Sequence, residues 1–168
     1  MKIRCASLAA SLFLVFATGS FAQNSGANQQ APTSQAPSAS GGAEAPTPPC
    51  GPNLAAQIKN VANNSRCFEL RMYTVQPGSS MDLLHSRFRE HTTALFIKHG
   101  MTVIGYWQPV AKPNVLVYML AYKDAAARDA SWAAFRADPE WVKTRAAMAV
   151  TVQVDNTFMS ATDYSPMK

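Results

Sequence analysis

Cysteine and histidine are scarce in this 168-residue chain, which has three of each. His85, His91 and His99 stand six and eight residues apart with no cysteine beside them. That spacing does not put ligands on one helical face, so no metal site is expected. Glycine is equally thin around the only stretch that invites a phosphate reading: PGSS at 77–80 has one glycine, and no GK[ST] follows it. There is no GxSxG nucleophile elbow. No apolar run reaches the roughly 20 residues that a membrane-crossing helix needs. A stripe of basic residues is also missing. The whole chain carries +5, but from Phe68 onward eleven Lys and Arg meet nine Asp and Glu, interleaved as in RFRE and DAAARDASW. Nucleic-acid binding is therefore not expected, and no cofactor motif is present.

The N-terminus shows a different pattern. Lys2 and Arg4 precede an apolar run from Leu8 to Ala17, and Ser20-Phe21-Ala22 places small residues where signal peptidase reads. Residues 1–22 are read as a cleaved signal peptide, which makes the protein periplasmic or secreted with no membrane span in the mature chain. Residues 23–49 contain no aromatic or large aliphatic side chain and one charge, Glu44. They cannot bury enough apolar surface to offset their ordering entropy, and read as a disordered linker. Removal of Cys5 with the signal leaves Cys50 and Cys67, an even pair in an oxidising compartment, and a disulfide is expected; two free thiols are the alternative. Residues 50–66 form a short extension, with Leu54, Ile58 and Val61 at helical spacing, and residues 67–168 form the one domain.

In that domain, Phe68 to Val75 has strand composition and a telling parity. Phe68, Leu70 and Met72 face one way; Glu69, Arg71 and Tyr73 face the other. Met81, Leu84, Phe88, Leu95 and Phe96 mark one apolar helical stripe ending at Gly100, and His91 falls on it. Residues 101–110 and 114–122 are strands apolar on both faces, joined by a short turn. Asp124 opens a helix over 125–137, Asp138-Pro139 opens another over 139–149, and 151–160 is a last strand. The order predicts an α+β, ferredoxin-like split βαβ fold with a four-stranded antiparallel sheet. Its helices cover one sheet face. The other, apolar face is expected to pair with a second copy as a homodimer.

The segments FELRMYTVQPG, RFREHTTALFIKHGMTVIGYW, LVYMLAYKDAAARDASWAAFRADPEW and NTFMSATDYSPMK resemble the NIPSNAP family in order and spacing, over essentially all of Phe68 to Lys168. The resemblance implies a dimeric α/β barrel of ferredoxin-like subunits. It implies no particular reaction, because fold does not carry chemistry.

Two readings attach to the polar residues. In one, Glu69 and His91 move a proton at the polar end of an apolar pocket in which Arg71 fixes a ligand oxygen; Tyr73, Tyr106, Trp107, Tyr118, Trp132 and Asn156 help to line it, and the ligand is a small apolar molecule. In the other, Glu69, Arg71 and His91 only tie helix to sheet, since a buried charge must be paired. The domain is then a non-catalytic interaction module of the cell envelope. Protein purified from its own host is expected to begin at Gln23 and to gain two protons per monomer on reduction. Intact mass spectrometry checks both, and an unprocessed Met1 or a mass unchanged by reductant overturns the corresponding expectation.

Overall fold

The structure, a computed structural model, describes residues 45–54 and 56–168. The signal-peptide expectation and the linker expectation for residues 23–44 lie outside these. The chain order is β1 (Cys67–Val75), α1 (Met81–Arg87), a π-helical turn (Phe88–Thr92), α2 (Thr93–Lys98), β2 (Thr102–Trp107), β3 (Val115–Tyr122), α3 (Ala125–Ala137), α4 (Pro139–Ala147) and β4 (Val152–Ser160). The strands form one antiparallel sheet in the order β2-β3-β1-β4, which is the expected ferredoxin-like arrangement.

Local chemistry explains most boundaries. The Ser80 side chain accepts from the Leu83 amide at 3.1 Å, and Asp82 sits in the first turn against the positive end of the helix. Gly100, at φ 79°, ends α2 in a conformation other residues adopt only with strain. Asp124 accepts from the Ala127 amide and Asp138 from the Glu140 amide, each at 2.8 Å, with Pro139 at the first helical position of α4. In β2 the register shifts between Val103 and Gly105. A Cβ on Gly105 would stand 2.9 Å from the Trp107 ring, so glycine makes room for that indole.

Three expectations are corrected. The helix over residues 81–99 is not α-helical throughout: from Phe88 to Thr92 it widens to i→i+5 bonding. The Phe88 carbonyl accepts from both the amide and the hydroxyl of Thr93, the latter at 2.8 Å. The widened turn changes which side chains face inward, so Thr92 is buried and His91 is 35% exposed. The second correction concerns residues 56–61, which are turns and a bend ending in a single bridge from Val61 to Thr162, not a helix. Asn53 and Asn60 take positive φ. Third, the linker does not run free to Pro49. Thr47 is buried, and its hydroxyl hydrogen-bonds the Asp129 carboxylate on α3 at 2.5 Å.

The core lies between the helices and the sheet face that carries Glu69, Arg71 and Tyr73. Phe88, Phe96, Tyr118, Trp132 and Phe135 meet there, mostly edge to face, with ring centroids 5.0–6.1 Å apart. The opposite sheet face presents half-buried Leu70, Met72, Val117 and Met119, with Trp107 50% exposed. Cys50 and Cys67 form a disulfide, joining the extension to the start of β1. With the two cysteines 17 positions apart in sequence, closing this loop stabilises by about 3 kcal/mol. The Cys50→Ser/Cys67→Ser double variant is expected to lose about that much in urea unfolding while keeping the native circular dichroism spectrum.

Candidate functional site

Alternation along β1 drives Glu69 into the interior, where an isolated carboxylate would be very costly. It is fully buried and ringed by donors. One oxygen accepts from Arg71 at 2.5 Å, Arg128 at 2.7 Å and Asn156 at 3.4 Å. The other accepts from the Tyr122 hydroxyl and the Trp132 indole, both at 2.9 Å, and from Arg128 Nε at 3.2 Å. Burial alone raises the pKa of Glu69, but the Arg128 hydrogen bond, the charges of Arg71 and Arg128 and the Trp132 hydrogen bond outweigh it, and the pKa is lowered to about 2. Burial and the neighbouring Glu69 charge push Tyr122 well above the usual phenol range. Such a carboxylate is a fixed charge near neutrality, unsuited to giving and taking protons.

His91 does not join this network. Its Nδ1 lies 3.9 Å from Glu140 on α4, so the expected grouping of His91 with Glu69, Arg71 and Tyr73 is not formed. The physical reason is the π-helical turn, which puts Thr92 in the inward position. Arg71 stays with Glu69 and stacks 4.4 Å over Trp132 and 5.6 Å from Tyr73. Asn156 and Trp132 also belong to the Glu69 cluster. Arg128 and Tyr122 are its unforeseen members. Arg128 shares the buried side of α3 with Trp132 and Phe135, and a charge on an apolar stripe is the same signal that drew attention to His91.

Tyr106 and Trp107 lie elsewhere, in a groove of about 410 Å³ between the first helical segment and β2. His85, Phe88, Arg89, Thr93, Gln108 and Leu116 complete its lining. His85 Nε2 and Gln108 Oε1 are 3.2 Å apart, and Gln108 donates to the Pro113 carbonyl at 2.7 Å. The Tyr106 and Thr93 hydroxyls share a hydrogen bond at 2.9 Å. Burial raises the Tyr106 pKa despite this bond. Tyr118 packs behind Phe88 and Tyr106, with centroids at 5.2 and 5.9 Å, and does not line the groove.

The family model described as NIPSNAP matches residues 68–166. The chain belongs to the NIPSNAP family. A NIPSNAP family protein of unknown function from Agrobacterium tumefaciens has 20% identity over 61% of this chain and 94% of its own, with TM-score 0.55. A NIPSNAP-like domain protein from Burkholderia xenovorans has 22% identity over 60% and 89%, with TM-score 0.54. A second Agrobacterium tumefaciens NIPSNAP protein has 21% identity over 61% and 99%, with TM-score 0.55. At these identities the likeness is one of fold. No curated protein matches the chain significantly. Among the described residues of this NIPSNAP chain, no group of three His, Cys, Asp or Glu is placed to hold a metal, and no helix is long and apolar enough to cross a membrane.

Glu69→Gln would leave Arg71 and Arg128 without their shared counter-charge. It is expected to destabilise the NIPSNAP domain by about 3–5 kcal/mol in denaturant unfolding. Because the folded pKa of Glu69 lies below its ordinary value of 4.5, its contribution is complete above that pH and is lost as pH falls toward 2. Unfolding midpoints measured across that window should drop in the wild type, with a shallower slope in Glu69→Gln.

Proposed function

We propose that this NIPSNAP protein is exported and binds a small, largely apolar molecule in the groove between the first helical segment and β2. The observation that carries the reading is the groove itself. Its volume of about 410 Å³, with apolar walls of Phe88, Tyr106, Trp107 and Leu116 beside the polar groups of His85, Arg89, Thr93 and Gln108, is in the range of a small-molecule site. His85 and the Tyr106 hydroxyl are the groups there able to hold or pass a proton, which suits cofactor-independent acid/base or oxygen chemistry on a bound ligand. The disulfide supports an oxidising compartment. The half-buried apolar sheet face around Leu70, Met72, Val117 and Met119, continuous with exposed Trp107, supports pairing of two copies. The second reading, a non-catalytic interaction module of the envelope, draws on the same exposed Trp107 and on the closed core around Glu69.

A neutral fluorophore such as N-phenyl-1-naphthylamine separates the two readings. Saturable binding is expected, weakened about three- to tenfold in Trp107→Ala and lost in Leu116→Arg. Absence of saturable binding would leave the interaction module as the better reading. Light scattering is expected to show a dimer at micromolar concentration, and a monomer would remove the pairing.

A further inference from the structure

Buried polar atoms in folded proteins almost always find partners, yet among the described residues four buried side-chain atoms make no hydrogen bond: Arg71 Nε, Arg87 Nε, Thr92 Oγ1 and the Tyr118 hydroxyl. Three of these belong to one neighbourhood. Tyr73 and Tyr118 meet edge to face with ring centroids 5.2 Å apart and the Tyr73 phenol beside the Tyr118 hydroxyl, and Arg71 lies 5.6 Å from the Tyr73 ring. Arg71 and Arg87 act electrostatically on the same two phenols. Tyr118 is wholly buried, Arg87 is 5% exposed and Arg71 8%.

The charge there is as unbalanced as the hydrogen bonding. Among the described residues Glu69 is the one carboxylate paired with Arg71, and it is shared with Arg128. Arg87 pairs with no carboxylate among the described residues; it donates to the Met148 carbonyl at 3.0 Å and lies 5.5 Å over Trp141. Burial, and the like charge of Arg145, lower its pKa. A water molecule would accept two hydrogen bonds from this set and neutralise nothing. A carboxylate offers about four acceptor positions and the missing charge.

We propose that Arg71, Arg87 and Tyr118 form an internal receptor for one oxyanion of carboxylate type, set behind Phe88 and distinct from the groove at β2. Arg71 Nε, Arg87 Nε and the Tyr118 hydroxyl donate to it, and Trp141 and Tyr73 supply apolar ring surface around it. The anion is either a free small ion or the head group of an organic acid. In the second case the body of the acid can lie in the 290 Å³ groove of Trp141, Val142, Ala146, Arg136 and Arg145, whose Trp141 stacks against Arg87.

Thermal melting of the mature, disulfide-bonded protein at constant ionic strength tests this with sodium acetate, bicarbonate, benzoate, phosphate and chloride. A saturable rise in Tm with carboxylates over chloride is expected. Arg87→Met should weaken the apparent affinity about ten- to a hundredfold. Tyr118→Phe, which removes one unpaired oxygen from a packed ring, should hold or raise Tm in chloride while losing part of the response to carboxylate. This second variant keeps the test decisive if Arg87→Met does not fold. Equal responses to acetate and benzoate identify a site for a free small ion, and a response to benzoate alone identifies an organic acid. Trp107→Ala should leave the response intact, so failure of the β2 groove as a ligand site does not touch this receptor. No saturable response, a response to phosphate alone, or a carboxylate response that survives in both Arg87→Met and Tyr118→Phe overturns the proposal.

Discussion

The fully buried carboxylate of Glu69 organises this domain. Its position on the central strand β1 leaves it no access to water, so the surrounding elements must supply donors, and they do so from every side: Arg71 on its own strand, Tyr122 on β3, Arg128 and Trp132 on α3, and Asn156 on β4. Such a centre specifies how α3 lies on the sheet more sharply than apolar packing can, because a misplaced helix would leave a carboxylate or a guanidinium unpaired at a cost of several kcal/mol. The aromatic cluster fills space around it; the charge network sets the register.

The same demand explains why the interior is richer in cations than in anions. Arg128 and Arg71 share one Glu69, and Asp129 helps Arg128 from the surface, where it also holds Thr47. Arg87 is left with a backbone carbonyl and an indole face. A folded core that keeps a guanidinium in this state has either a tolerance for the cost or a use for the charge, and the unpaired Arg71 Nε and Tyr118 hydroxyl nearby favour a use.

The π-helical turn at Phe88–Thr92 links these features to the groove. It places Phe88 against Tyr73, Tyr106 and Tyr118 on the inside while Arg89 and Thr93 line the groove on the β2 side. One widened turn therefore makes a single ring the wall between two sites of different chemistry. It also sends His91 outward to Glu140.

Much of this was legible in residue order because it depends on near neighbours. Asp124, Asp138 and Pro139 mark helix starts through bonds spanning a few residues, and the alternation Glu69, Arg71, Tyr73 follows from the strand period alone. The split βαβ arrangement with a four-stranded antiparallel sheet followed from the succession of elements. Other outcomes depend on distant groups. Whether Phe88 to Thr92 bonds i→i+4 or i→i+5 is a difference of little local energy, decided by what packs beneath it. Leu54 to Val61 has helical spacing, but a helix so short is marginal in water without a surface to cover. The partners of Glu69 stand up to 87 residues away in the chain. The sequence by itself determined the elements, their order and which faces carry charge, because those are properties of short stretches of backbone. Only the tertiary structure decided which charges meet and which donors stay unpaired, because those depend on the mutual placement of strands and helices that no local pattern encodes.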